Sequence, residues 1–321
     1  MPDDFGLTGH ERSSSTTLLV AICTYKRPDG LRALLRSLAE QRSADPWRVV
    51  IVDNDPSRAA EAVVRDLAGG FPRPITYVPE PSGHIVTARN RALDEASPRE
   101  AVLFVDDDEV PQPGWLEAFV RAHHAAPRDV LTGPVRPHLE GLAPAWAPDL
   151  WFFIRQEHED GSPVGMTGGG NALLPAALHA GLGLRFAQAL DGVGAEDTEL
   201  FMRWQASGGR LRWVSEAVVL EDVPVSRTRL RYAFDRSRAS AYGYARITVT
   251  GPRTWLPRTL RVPVRATQGL GLLLWGGIRR DPVVRARALV HLGQSWGTLQ
   301  AVAGYRQRAG SKRGRVDARP A

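Results

Sequence analysis

The stretch Ala101-Val102-Leu103-Phe104-Val105-Asp106-Asp107-Asp108-Glu109 decides how this chain is read. Ala101 to Val105 is short, apolar and bounded by polar residues, which is the pattern of a buried strand. Four acids close it. A buried strand that runs into a carboxylate cluster is costly unless a cation answers the charge. On an extended segment Asp106 and Asp108 share one face and Asp107 takes the other. Two hard oxygen ligands side by side suit Mg²⁺ or Mn²⁺ rather than zinc. The competing reading is a solvated acidic turn, helped by Pro111 and Pro113.

Upstream of this strand the chain alternates strands and helices. Leu18 to Cys23, Arg48 to Val52 and Ile75 to Val78 read as strands. Pro28 to Gln41 reads as a helix, with Pro28 in its first turn and an apolar stripe of Leu31, Leu34, Leu35 and Leu38. Ser57 to Leu67, with Ser57 as N-cap, and Ile85 to Ala96 read as two more helices. This rhythm predicts an α/β fold with a mostly parallel, Rossmann-like sheet flanked by helices. Ligands collect outside the carboxyl ends of strands in such sheets. Those ends are Thr24-Tyr25, Asp53-Asn54-Asp55, Glu80 and Asp106 to Glu109, and three of the four carry acids.

The second half changes character. Pro137 to Pro163 is rich in Pro, Trp and Gly, and it reads as an irregular segment or lid, or as satellite core packing for Trp146, Trp151, Phe152 and Phe153. Thr167-Gly168-Gly169-Gly170-Asn171 permits close backbone approach but lacks the spacing of a phosphate loop or dinucleotide fingerprint. Asp191 to Leu200 leads into a helix, so Glu196 and Asp197 fall near its N-terminus, where the helix dipole favours carboxylates. A plain capping pair is the alternative. Arg210 to Val214 and Ala217 to Leu220 read as strands, and Arg229 to Ala245 as an arginine-rich helix. Ala266 to Ile278 and Ala288 to Tyr305 read as a helical hairpin, packed on the catalytic domain or lying on a surface.

The chain has 321 residues, a net charge of +6, 43% hydrophobic and 24% charged residues, and a single cysteine, Cys23. That length can bury a full core, and one cysteine excludes an internal disulfide framework. The cysteine count fits a cytoplasmic protein. Residues 1–17 resemble neither a signal peptide nor a membrane span. The basic excess lies late in the chain, without an aromatic-basic or recognition-helix pattern for nucleic acid, so an anionic membrane face is the favoured partner for it.

Five segments together resemble the family 2 inverting glycosyltransferases, which have the GT-A fold, and the branch that builds bacterial exopolysaccharide and other surface glycans. They are Val20 to Pro28, Val50 to Asn54, Ala88 to Leu93, Phe104 to Asp108 with Pro113-Gly114-Trp115-Leu116, and Gly194 to Leu200. The resemblance covers about residues 17–225. It implies a GT-A catalytic domain at 17–225, after a flexible start at 1–16. A C-terminal helical region at 226–305 and a basic disordered tail at 306–321 complete the expected layout.

The resemblance also implies roles. Thr24 and Tyr25 would line the nucleotide pocket, Asp53 would accept a hydrogen bond from a uracil, and Arg89 would lie near the base or diphosphate. Asp106 and Asp108 form the D-x-D element. Asp106 would touch ribose or metal-bound water, and Asp108 would ligate Mg²⁺ or Mn²⁺. Asp197 would be the general base with Glu196 supporting it, and Gly169, Gly170 and Asn171 would flank donor sugar and acceptor. The implied reaction moves a sugar from a nucleotide-diphosphate sugar, UDP-linked by preference. Its acceptor is a hydroxyl on a glycan, a lipid-linked saccharide or a small molecule, at the inner face of the plasma membrane. Relatives carry a His near Asp222, where this chain has an acid; His84 is a second candidate. A nucleotidyltransferase and a non-catalytic glycan- or membrane-binding protein of the same fold are the alternatives.

Overall fold

The computed structural model describes residues 17–139, 144, 146, 147, 150, 152 and 156–316. Trp151, Phe153, the expected flexible start and the last five residues lie outside the described residues.

Strand β1 (Leu18–Thr24) is buried along nearly its whole length and sits near the middle of a seven-stranded sheet. It pairs in parallel with β2 (Trp47–Asp53) on one side and β4 (Ala101–Phe104) on the other. β3 (Ile75–Pro79) continues the parallel set beyond β2. The far half is mixed. β8 (Ala172–Leu174) runs antiparallel to both β4 and β6 (Val130–Thr132), and β9 (Leu211–Trp213) runs parallel to β6. The order across the sheet is β3-β2-β1-β4-β8-β6-β9. A smaller sheet joins β5 (Glu109–Pro111), β10 (Val219–Val223) and β7 (Val135–Leu139). This is the expected α/β class with a mostly parallel sheet.

Alternation along β1 explains the layering. Leu18, Val20 and Ile22 face a core built with Leu31, Leu34, Leu35 and Leu38 of α1 (Pro28–Glu40) and with Trp115 and Phe119 of α4 (Trp115–Ala125). Leu19 and Ala21 face the opposite core, with Val86, Ala88 and Leu93 of α3 (Ile85–Asp94) and Leu200, Phe201 and Trp204 of α5 (Glu196–Ala206). A strand covered on both faces needs apolar residues at every position, which is why β1 reads as an unbroken apolar run. Each leucine buried this way contributes roughly 2 kcal/mol.

Three expectations shift. The helix after β2 is α2 (Glu61–Ala68), later than Ser57, and its lead-in is held by Asp53, whose Oδ2 accepts the Ala60 N–H at 3.1 Å. The last core strand, β10, is Val219–Val223 rather than 217–220. The chain at 306–316, expected as a disordered tail, continues the last helix. Gln, Arg, Ala and Lys are good helix formers, and this segment is rich in them.

After β10 the chain forms three helices, α6 (Leu230–Thr248), α7 (Pro252–Ile278) and α8 (Pro282–Val316). α7 and α8 form the expected hairpin, and α8 packs on α6 as well. Glycines allow that second contact. A Cβ on Gly293 would stand 2.4 Å from the Phe234 carbonyl, and one on Gly297 would stand 2.1 Å from that of Arg238. Among the described residues no helix is long and apolar enough to cross a membrane.

Asn171 joins the two sheets. Its backbone adopts φ +51°, a left-handed conformation that asparagine tolerates. Its fully buried amide donates to the Pro134 and Ala217 carbonyls at 3.0 and 2.8 Å and accepts the Trp115 indole N–H at 2.7 Å. Every one of those partners is part of the scaffold. We therefore expect Asn171→Ala to lower stability by roughly 2–4 kcal/mol, because three buried polar groups lose their partner. Nucleotide affinity of the folded fraction should stay native-like. Weaker binding at an unchanged melting temperature would restore the ligand-flanking role.

His123 on α4 gives a pH signature. It is buried, its Nδ1 has no hydrogen-bond partner, and burial pushes its pKa down to about 4. The neutral form is favoured on folding, so this stability is complete above the unfolded value of 6.5 and is lost as pH falls toward 4. The loss reaches roughly 3 kcal/mol at most. Urea midpoints measured above pH 6.5 and near pH 4 should fall less for His123→Leu than for the native chain. Parallel falls would rule this residue out as the acid-sensitive group.

Candidate active site

The four acids after β4 form a turn rather than an extended face. The Glu109 N–H bonds the Asp106 carbonyl at 3.0 Å, and Glu109 Oε2 accepts the Asp106 N–H at 3.1 Å. Asp107 points into the protein. Its carboxylate accepts the Tyr25 N–H at 3.3 Å and pairs with Arg27 at 2.8 Å. Burial pushes the Asp107 carboxyl up, while Arg27 and Thr24 pull it back. Asp106 and Asp108 still share one cavity, which Asp107 and Glu109 also border. Turn geometry, not strand alternation, puts them there.

That cavity, of about 480 Å³, lies beyond the carboxyl ends of β1, β2 and β4. Thr24, Tyr25, Asn54, Arg89, Asp106 and Asp108 line it. Asp53 does not. Its oxygens accept the Asp55 and Ala60 N–H groups and the Tyr77 hydroxyl, so it braces the lead-in to α2. Cys23 also borders the cavity. Burial pushes its thiol up to about 12, with Arg89 opposing, so it stays protonated at neutral pH and is no nucleophile.

A second cavity of about 580 Å³ adjoins the first and shares Arg89, Asp106, Phe152 and Arg236 with it. Gly168, Gly169 and Gly170 form one wall and the start of α5 another. Asp197 Oδ2 accepts the Gly169 N–H at 2.7 Å, and Oδ1 accepts the Thr198 N–H at 2.6 Å. The glycines are needed for closeness. A Cβ at Gly169 would lie 2.3 Å from the Arg89 guanidinium, and one at Gly170 would lie 2.7 Å from the Asp106 carboxylate.

Arg89 stands between the cavities. It lies 3.4 Å from Asp106 and 3.3 Å from Glu196, over the Phe186 ring. Burial opposes its charge, but Asp106, Glu196 and Asp197 outweigh this and hold its proton more firmly. Glu196 responds in the other sense. Burial pushes its carboxyl up, with Arg89 opposing and Asp197 adding to the rise.

Arginines given no site role in the sequence reading complete the site. Arg27 pairs with Asp108 at 2.8 Å, and Arg227 approaches the same oxygen at 3.5 Å. From α6, Tyr232 and Arg236 border the first cavity, and Arg236, Ser240 and Tyr244 border the second. Their spacing of four residues marks one helix face, a signal that was available in the sequence. Asp222 pairs with His138 at 2.9 Å and lies outside both cavities, whereas its neighbour Glu221 borders the first. His84 pairs with Asp191, also outside them.

Among the described residues no group of three or more His, Cys, Asp or Glu is arranged to hold a metal. All four acids of the turn border the cavity, but Asp107 is held by Arg27 and Glu109 by the Asp106 N–H, which leaves Asp106 and Asp108. Mg²⁺ or Mn²⁺ commonly uses that few protein carboxylates, with phosphate oxygens and water filling the rest. The residues present therefore fit a cation bound together with a phosphorylated ligand.

Comparison with known proteins agrees with this geometry. The model named glycosyl transferase family 2 matches residues 19–182, and that of glycosyl transferase family group 2 matches 101–302. The succinoglycan biosynthesis protein ExoM of Rhizobium meliloti (strain 1021) is 33% identical over 232 residues, covering 71% of this chain and 74% of ExoM. Among solved structures, the mannosyltransferase PcManGT from Pyrobaculum calidifontis, in complex with GDP-Man and Mn²⁺, is 21% identical. It has a TM-score of 0.57 and covers 91% of this chain and 75% of its own. S. aureus TarS 1-349 in complex with UDP-GlcNAc is 17% identical, with a TM-score of 0.52 and coverage of 91% and 92%. With a mixed α/β sheet of GT-A type, two adjoining acid-lined cavities and these matches, the chain belongs to glycosyl transferase family 2.

Proposed function

We propose that the chain is an inverting glycosyltransferase that moves a sugar from a UDP-sugar to an acceptor hydroxyl. The observation that carries this reading is the junction at Arg89. One buried guanidinium joins the acidic turn of one cavity to the start of α5 in the next. A donor in the first cavity and an acceptor in the second would meet beside Asp106. Membership of the family sets aside the nucleotidyltransferase alternative, and the test below decides the non-catalytic one.

In this reading Thr24, Tyr25 and Asn54 hold the nucleoside, and Arg27 and Arg227 supply positive charge near the diphosphate. Asp106 and Asp108 would hold Mg²⁺ or Mn²⁺, which as a Lewis acid stabilises negative charge on the departing diphosphate. Asp197 takes the proton of the acceptor hydroxyl. The acceptor oxygen bonds the anomeric carbon as the bond to the diphosphate oxygen breaks. The Gly169 and Thr198 N–H groups keep the Asp197 carboxylate aimed. Attack from the face opposite the leaving group inverts the anomeric centre without a covalent intermediate, by the logic that separates inverting from retaining hydrolases.

Calorimetry with UDP should give binding that strengthens with Mn²⁺ and is lost in Asp108→Ala. Absence of UDP binding under every metal condition would remove this donor and bring GDP forward. Asp197→Asn should keep near-native UDP affinity while turnover falls by roughly 10²–10⁴-fold, the usual contribution of a general base. Unchanged turnover would exclude Asp197 as the base.

The acceptor is a glycan, a lipid-linked saccharide or a small molecule bearing a hydroxyl, and the protein works at an anionic membrane surface. Support comes from α7, where Leu256, Leu260, Val264, Leu274 and Ile278 share an exposed face opposite its packed side. The basic charge of the C-terminal region matches such a surface. The double variant Leu260→Asp/Leu274→Asp should lose sedimentation with anionic vesicles while melting at the native temperature. Native-like sedimentation would sink the membrane contact.

A further inference from the structure

A third cavity, of about 410 Å³, lies among α6, α7 and α8, away from the acidic turn. Its lining is unlike that of the other two. Arg258, Arg261 and Arg265 of α7 border it, and no carboxylate is among the described residues that line it. No ion pair to these three arginines is found among the described residues. Three cations gathered without an acid repel one another unless an anion joins them.

The floor of the cavity gives an independent sign of a ligand. Ser237 is fully buried on α6, and its hydroxyl has no hydrogen-bond partner. An unsatisfied buried hydroxyl is costly, and a native fold rarely keeps one without use. Ser240 adds a second hydroxyl beside it, whereas Ser295 and Thr298 on the α8 side already donate to the His291 and Gln294 carbonyls at 2.9 and 2.8 Å. Arg258 is already positioned, with its Nη1 donating to the Thr254 carbonyl at 2.7 Å and its guanidinium over Tyr244. Arg261 and Arg265 remain exposed at the rim.

We propose that this cavity is a phosphate-binding site, distinct from the nucleotide cavity. Guanidinium groups pair with phosphate oxygens in bidentate fashion, and the Ser237 and Ser240 hydroxyls donate to the oxygens left over. A doubly charged phosphate or a diphosphate matches three arginines better than a single carboxylate would. Its position favours a phosphate carried on an amphiphile, because Leu260 and Val264 alternate with Arg261 and Arg265 along the exposed side of α7. The proposal does not rest on the glycosyl transfer reading, and the residues tested below lie outside the two catalytic cavities.

The test uses the full chain with the nucleotide site saturated by UDP and Mn²⁺. One arm titrates inorganic pyrophosphate by calorimetry. The other measures co-sedimentation with phosphatidylcholine vesicles with and without phosphatidic acid. Two variants are compared with the native chain, Arg261→Gln/Arg265→Gln and Ser237→Ala. The arginine variant should bind roughly a hundredfold more weakly, since two charge-assisted contacts are lost. Ser237→Ala should bind about fivefold more weakly, the worth of one hydrogen bond, and should melt no lower than native because its hydroxyl has no partner to lose. Losses confined to the phosphatidic acid arm identify a lipid headgroup. Losses confined to the pyrophosphate arm identify a soluble phosphate. Native-like binding by both variants in both arms overturns the proposal. So does loss in the arginine variant alone with Ser237→Ala unchanged, which would leave only surface charge.

Discussion

One buried cation governs the arrangement of this protein's chemistry. Arg89 projects from α3 into a place that water scarcely reaches, and because a guanidinium stays charged there, carboxylates must answer it or the buried charge is left uncompensated. Asp106 and Glu196 answer it from two different elements. The acidic turn after β4 and the start of α5 are thereby fixed relative to each other. Removing either partner would strand the remaining charges in a poorly solvated site, so the geometry is held by a cost as much as by an attraction. The glycines at 169 and 170 belong to the same constraint, since any side chain there would collide with the groups they allow to meet.

Around that junction the fold separates holding from reacting. The parallel half of the sheet ends in the groups that border the first cavity. The antiparallel return through β8 brings the Gly168–Gly170 loop beneath Asp197. α6 then closes both cavities with one helix face. The C-terminal region is thus a wall of the site rather than an appendage, and the reach of the family group 2 match to residue 302 agrees with that.

Much of this was legible in the residues. β1, β2 and β4 announce themselves as apolar runs because both faces of the sheet are covered, and α1 does so through its leucine stripe. The acids at strand ends marked where ligands gather. What escaped was set by partners distant in sequence. Asp53 looks like a ligand-facing acid at a strand end, but Tyr77 and the Ala60 N–H claim its oxygens. Asn171 follows three glycines and reads as loop, yet its amide satisfies three scaffold groups contributed by α4 and by loops near residues 134 and 217. Asp106 and Asp108 reach one cavity through a turn closed by Glu109, which strand alternation alone does not describe. No local pattern encodes such bonds, because the energy that selects them comes from burial after the chain has folded.

Ser240 and Tyr244 have a consequence of their own. Both residues border the second cavity and the arginine-lined one, so a single helix is the partition between two compartments. A partition that thin is a thermodynamic conduit. By linkage, any change that an occupant of one compartment makes to the affinity of the other through these two side chains is matched by an equal change in the reverse direction. The helix can therefore act as a balance beam as well as a barrier, reporting across its own width whether the far side is filled.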